Sequence, residues 1–401
     1  MQESAGMQEE SAAGMQEETA GMQEESAGMQ EESAGMQEET AKMQKETERQ
    51  RRERAAARAG YASVRFAVPP RVEAAASVVG KKEKEGPLGT FFDRAEEDPM
   101  LGKKTWEEAE SELQRRAARL CLQKAGLQAA DIRFLFAGDL LGQIVATSFG
   151  LEDLGIPLFG LYGACSTMGE ALSLAAMTVA SGFADRVMAL TSSHFASAER
   201  QFRFPLAYGN QRPLSATWTV TGCGCVILQD GAAGRRPGKE TNGEVFLRGV
   251  TAGKIVDLGV RDSMNMGAAM AGAALDTILQ NFRDFGVDET YYDRIITGDL
   301  GIVGRRILLE LAAKCGVCLR SVHEDCGLMI FDCGRQDTHA GGSGCGCSAV
   351  TLCGAILPRL FGGEWRRVLF VPTGALLSQI SFNEGQSIPG IAHGVMLESG
   401  I

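Results

Sequence analysis

Apolar and polar positions follow two regimes along this 401-residue chain, a short repeat at the start and a globular pattern thereafter. Residues 1–43 repeat Met-Gln-Glu-Glu-Ser/Thr-Ala-Gly, with Met at 1, 7, 15, 22, 29, 36 and 43. A period near seven suggests a coiled coil, but Met and Ala are the only apolar residues each repeat offers. The charge is of one sign, and each repeat up to residue 35 ends in Gly, which costs roughly 1 kcal/mol per helical site. The pattern predicts a disordered tail. Arg49 to Arg58 turns basic and Ala-rich and reads as a short solvated helix.

From Ser63 the pattern becomes globular. Val64–Val68 predicts a first strand and Gly80–Thr90 a polar loop. Thr105-Trp-Glu-Glu108 is a capping box opening a helix that carries Trp106, Ala109, Leu113, Ala117 and Leu120 on one face, with Gly126 closing it. Asp131–Ala137 predicts a buried strand ending in Gly138-Asp139-Leu140. A strand over Ile156–Leu161 then leads through Gly163-Ala-Cys-Ser-Thr-Met-Gly-Glu170 into a buried helix.

The second half repeats this layout. A helix over Ala268–Phe285 ends at Gly286, and a strand over Asp293–Thr297 ends in Gly298-Asp299-Leu300, at an offset of 160 from the first half. Arg186–Ser193 pairs with Arg367–Gly374 at an offset of 181, and Gly224–Leu228 pairs with His393–Leu397. Matches in one order imply an internally duplicated α/β unit. The expected organisation is a tail over 1–62, a first half over 63–240 and a second half over 241–401.

Composition adds bounds. The net charge of −11 is concentrated at the start, because residues 1–41 carry 11 Glu and no Lys or Arg. The remainder is near neutral, which argues for neither nucleic acid nor an acidic membrane surface as partner. No charge-free run reaches 18 apolar residues and no signal-peptide core is present, so the expectation is a soluble protein with its eleven cysteines reduced. Cys315, Cys318, His323, Cys326 and Cys333 could be drawn as a zinc set. The first pair closes a helix-like run (Arg306–Lys314) and no second close-spaced pair follows, so no metal is expected.

Candidate chemistry centres on Cys165 at the mouth of a helix, where free N–H groups and the helix dipole favour a thiolate. Sliding by 181 residues lands at Gly346, within Gly341-Gly-Ser-Gly-Cys-Gly-Cys347, followed by an apolar helix over Ser348–Leu360. Two buried helices are therefore expected to begin side by side and share one anion-suited cavity.

The residues Glu85–Gly89, Ala137–Leu141, Gly163–Thr167, Thr191–His194 and Ala198–Pro205 resemble the stage V sporulation protein AD family of spore-forming bacteria. The resemblance continues through Asp325–Met329, Ala340–Cys345 and Thr373–Ser378. It implies a thiolase-like fold, an α-β-α-β-α five-layer architecture. It also implies binding of dipicolinic acid, alone or with Ca²⁺, for a channel complex that loads and empties spores. No other cofactor is implied. Implied partners are integral membrane subunits, with the protein peripheral on the spore inner membrane, and a second copy paired through the edge strand expected near Arg186–Ser193.

Condensing enzymes of this fold need a base and an oxyanion donor besides the cysteine. Neither Gly-His-Pro nor His-x-Ala-Asn occurs, and the matching region reads Gly342-Ser343-Gly344-Cys345. The expectation is a binder without catalytic residues, Cys165 being a vestigial nucleophile. An acyltransferase using Cys165 and a catalytically dead dimeric scaffold are the alternatives. A flat dianion calls for Arg forks and aromatic walls, and Ala198–Pro213 supplies Arg200, Arg203 and Arg212 among Phe202, Phe204 and Tyr208. The expected ligand contacts are Cys165, His194, Arg200, Arg203, Ser343 and Cys345. His339 could reach the cavity, His323 and His393 are expected to be structural or surface residues, with His393 still able to reach in, and Asp139 and Asp299 are expected to order strand-end turns or assist Ca²⁺.

Overall fold

The structure is a computed structural model that describes Met36, Met43 and residues 57–202, 212–233 and 243–400. The chain divides into units 1–57 and 58–401. The expected disordered tail and the expected helix over Arg49–Arg58 fall almost wholly outside the described residues.

Ten strands of the second unit form two sets of five with the same order and polarity. The first set comprises β1 (Arg71–Gly80), β2 (Phe134–Gly138), β3 (Leu158–Gly160), β4 (Arg186–Ser193) and β5 (Gly222–Gln229). The second comprises β6 (Val245–Thr251), β7 (Arg294–Thr297), β8 (His323–Asp325), β9 (Arg367–Val371) and β10 (Gly394–Ser399). The first runs β1-β5-β4-β2-β3 and the second β6-β10-β9-β7-β8. In each set the first two pairings are antiparallel and the last two parallel. The expected internal duplication is thus present strand for strand. A single pair, Phe246 with Arg71, joins the sets into one hydrogen-bonded path.

Three apolar clusters bind five layers, the central one filling both faces of the middle helical layer. Helices α1 (Trp106–Ala125) and α2 (Val145–Leu151) cover the outer side of the first set, where Leu113, Ala117 and Cys121 meet Leu135, Met188 and Ile227. Between the sets lie α3 (Thr167–Ala180) and α7 (Cys345–Thr351), the latter running on through a π-turn (Leu352–Ile356) to Phe361. Helices α5 (Met266–Phe285) and α6 (Gly301–Lys314) cover the second set. One further helix, α4 (Phe195–Phe202), follows β4. Helix α3 buries Met168, Leu172, Ala175, Ala176 and Val179, as an apolar helix between two sheets should. Each large side chain so placed contributes about 1.5–3 kcal/mol.

Local signals hold where their chemistry is self-contained. Thr105 Oγ1 accepts from Glu108 N–H at 3.2 Å and Glu108 Oε2 accepts from Thr105 N–H at 3.1 Å, closing the capping box. Gly126 ends α1 at φ +67°, the left-handed cap that Gly adopts without strain. Two expectations need correction. Gly80–Thr90 is not all loop, since Lys81–Lys84 form a helical turn. Arg186–Ser193 is an interior strand between β5 and β2, and the edge is β3. No helix among the described residues is long and apolar enough to cross a membrane.

Candidate functional site

Cys165 lies at the mouth of α3 on a strained turn. Ala164 before it has φ +49°, and the turn is tied by Ser166 Oγ donating to Gly163 O and Thr167 Oγ1 donating to Ala164 O, each at 2.6 Å. Gly374 packs against this turn so closely that a Cβ there would fall 2.4 Å from the Gly163 carbonyl. The equivalent helix α7 begins beside it, after Gly344 at φ +101°. The Cys345 thiol donates to Ala164 O at 3.0 Å, so the two helix mouths meet as the duplication requires.

From Cys165 a row of polar groups runs into the second half. Its sulfur is 3.9 Å from Ser343 Oγ. Ser343 Oγ donates to Asp299 Oδ2 at 2.8 Å, the Gly344 N–H donates to the same oxygen at 3.0 Å, and Thr373 Oγ1 donates to Asp299 Oδ1 at 2.7 Å. Burial, then the Asp299 carboxylate, push the Cys165 thiol well above its usual value. The expected ionisation is therefore corrected: desolvation and a neighbouring anion outweigh the helix dipole. Burial likewise raises Asp299.

The cavity over Cys165 measures about 40 Å³ and is walled by Tyr162, Phe202, Met266 and Leu377, with hydroxyls from Thr217, Thr219 and Ser343. Its charged lining residue is Glu199, which accepts from Thr219 Oγ1 at 3.0 Å. Among the described residues no His, Lys or Arg lines it. Cys345 is buried and turned to Ala164 O, adjoining this cavity without lining it.

The other expected contacts disperse. His194 lies outside this cavity: Nε2 donates to Pro99 O at 2.8 Å and Nδ1 accepts from Ala196 N–H at 3.2 Å, leaving no donor for a ligand. Burial lowers its pKa. Arg200 is exposed and paired with Glu107. Arg203, Phe204 and Tyr208 lie outside the described residues. Arg212 is buried, with Nη2 on Asp337 Oδ1 at 3.0 Å. His339 is turned to Pro213 O at 2.9 Å and Asp337 at 3.1 Å. His393 accepts from Gly253 N–H at 3.3 Å and is held down to about 4 by burial. His323 meets Thr297 Oγ1 at 3.0 Å and is likewise held down to about 3.

Asp139 accepts from Leu141 N–H and Thr147 N–H at 2.8 Å each and from Thr147 Oγ1 at 2.6 Å, ordering its strand-end turn. Cys315 and Cys318 are exposed after α6 whereas Cys326 is buried. Among the described residues no three His, Cys, Asp or Glu are placed to hold a metal. Sequence reasoning missed Tyr162, Thr217, Thr219, Glu199 and Met266 as lining residues. Thr217 and Thr219 carry the one usable signal, period-two alternation around Trp218.

A family model for stage V sporulation protein AD matches residues 60–398. Stage V sporulation protein AD of Bacillus subtilis (strain 168) is 44% identical over 333 residues, covering 83% of this chain and 95% of that relative. Among solved structures, 3-oxoacyl-(acyl carrier protein) synthase III of Xanthomonas oryzae pv. oryzae aligns with a TM-score of 0.50 at 14% identity, covering 83% of this chain and 100% of that one. A variant of OleA from Xanthomonas campestris aligns with a TM-score of 0.52 at 13% identity, covering 84% and 97%. These two likenesses identify the fold as thiolase-like and carry no chemistry to this chain.

Proposed function

Because the chain belongs to the stage V sporulation protein AD family, we propose that this sporulation protein uses its thiolase-like fold to bind dipicolinate rather than to transfer acyl groups. The observation that carries the reading is the state of Cys165. A nucleophile needs a base or a lowered pKa, whereas this thiol is held protonated beside a buried carboxylate. No His, Lys or Arg among the described lining residues stands ready to take its proton or stabilise an oxyanion.

What remains is a small chamber with aromatic walls, Tyr162 and Phe202, and hydroxyls from Thr217, Ser343 and Thr219, the last two already donating to Asp299 and Glu199. Its volume of about 40 Å³ holds roughly one water, so a flat pyridine dicarboxylate enters only as Phe202 or Leu377 turns aside. Glu199 disfavours a bare dianion there, which favours the Ca²⁺ chelate or a contact from Arg203. In this reading the protein works at a membrane beside integral subunits, and two copies pair through β3, whose Leu158 and Phe159 are exposed.

Equilibrium dialysis of the full chain against dipicolinate tests the proposal. Saturable binding that weakens at least tenfold in Phe202→Ala is expected, with no adduct on Cys165 by intact mass after incubation with acetyl-CoA. An acyl adduct would replace the reading with an acyltransferase. Neither binding nor adduct would leave a scaffold.

A further inference from the structure

Behind α4, a row of side-chain hydrogen bonds joins two buried carboxylates. Asp139, one residue past β2, accepts from Thr147 Oγ1 at 2.6 Å. Gln114 Nε2 of α1 donates to Thr147 Oγ1 at 3.0 Å and to Ser192 Oγ of β4 at 2.8 Å. Ser192 Oγ donates in turn to Glu110 Oε1 at 2.8 Å, and Ser197 Oγ of α4 lies 2.6 Å from Glu110 Oε2. All six side chains are buried. Among the described residues no Lys, Arg or His is bonded to either carboxylate.

The row is short of hydrogens. Ser197 Oγ also lies 3.0 Å from the His194 carbonyl, so its single proton faces two acceptors. Gln114 Oε1 is buried with no hydrogen-bond partner. A proton on Glu110 Oε2 settles the conflict at Ser197, because the carboxyl then donates to Ser197 Oγ and Ser197 donates to His194 O. Asp139 is the better anion of the two, with Leu141 N–H, Thr147 N–H and Thr147 Oγ1 all donating to it. Burial, then the Asp139 charge, push the Glu110 carboxyl up to about 8, and burial raises Asp139 as well.

The other ionisable groups around Glu110 are engaged elsewhere. Glu107, one turn earlier on α1, is paired with Arg200 of α4. Glu199 of α4 turns to Thr219, and His194 to Pro99. Burial pushes the Cys223 and Cys345 thiols well above their usual value. Glu83 reaches α4 through Thr221, whose N–H it accepts and whose Oγ1 accepts from Phe195 N–H. Both ends of the row carry wall of the Cys165 cavity: Leu140 follows Asp139, and α4 supplies Ala198, Glu199 and Phe202.

We propose that the Glu110 proton is a latch on the Cys165 cavity, tying α4 to α1 while it is held and freeing the wall that carries Phe202 when it is lost. Its loss puts a second anion beside Asp139 and leaves Ser197 one proton for two acceptors. The latch acts on the wall and stands apart from the dipicolinate reading.

Hydrogen–deuterium exchange of the full chain without ligand, at pH 6 and pH 9 and corrected for intrinsic exchange, tests it on the Ala198–Phe202 amides. Protection there should fall at least tenfold from pH 6 to pH 9, while α5, on the other sheet set, changes less than twofold. Glu110→Gln keeps an acceptor for Ser192 and a donor for Ser197 but cannot titrate, so α4 should stay protected at pH 9. Glu83→Gln should keep the wild-type fall. Should Glu110→Gln fail to fold, Ser197→Ala decides, and its α4 at pH 6 should already exchange as wild type does at pH 9. A wild-type α4 indifferent to pH, an equal fall in Glu110→Gln, or an equal loss of protection in α5 overturns the latch.

Discussion

Ser343 donates its hydroxyl to Asp299 at 2.8 Å, and the same hydroxyl stands 3.9 Å from the Cys165 sulfur. The second half thus presents to the cysteine an acceptor already occupied by three donors, rather than a free base. In the reading proposed above, this arrangement leaves the Cys165 thiol without an open acceptor for its proton.

The first prediction concerns that reactivity. With the Cys165 thiol raised by burial and by Asp299, iodoacetamide at pH 8 should modify exposed Cys315 and Cys318 well before Cys165. Peptide mapping at timed intervals reads the order. Fastest labelling at Cys165 would show an activated thiolate and contradict the account.

Asp299 is expected to be structural. Asp299→Ala leaves the Ser343, Thr373 and Gly344 donors unpaired in a buried seam, a loss of roughly 2–4 kcal/mol. Urea unfolding of variant and wild type measures it. A difference under about 0.5 kcal/mol would mean that these bonds do not hold the helix mouths together.

Burial pushes the Glu83 carboxyl up to about 7 from 4.5. Its folded pKa exceeds the unfolded value, so its contribution to stability is fully present below about pH 4.5 and declines as pH rises through about 7. The total is about 3 kcal/mol at 1.36 kcal/mol per pH unit. Glu83→Gln keeps the acceptor for Thr221 N–H and removes the titration, so its stability relative to wild type should rise between pH 4.5 and 7. A constant difference across that window would contradict the assignment.

Much of this fold is legible in the residues, and the failures have physical causes. The offsets of 160 and 181 mark real strand equivalences because each strand's apolar run answers to its own layer. The Thr105 capping box and the Gly126 cap are local and need no partner. Sheet order is not local: β4 follows α3 in the chain yet inserts between β5 and β2, so the edge falls to β3. His194 follows β4 directly, but the turn into α4 aims it at Pro99 and away from Cys165. Arg200 looked available because its partner, Glu107, lies on a helix 93 residues earlier. The thiol is raised first by burial and then by Asp299, 134 residues later, and no motif around Cys165 announces either.

Arg200 gives a negative control. Its ion pair with Glu107 is exposed and worth under about 1 kcal/mol, so Arg200→Ala should change dipicolinate affinity less than twofold. A tenfold loss would place Arg200 at the ligand.

The pairing surface is tested at β3. Phe159 is 52% exposed on an open sheet edge, and Phe159→Asp should convert a dimer to a monomer by light scattering coupled to size exclusion. A dimer unchanged by this substitution would place the pairing surface elsewhere.

Calorimetric titration of the full chain with dipicolinate, with and without Ca²⁺, tests the central claim most directly. The account predicts saturable binding, stronger for the Ca²⁺ chelate because Glu199 is the charged residue of the described lining. No heat of binding for either form, in protein shown to be folded, would contradict it.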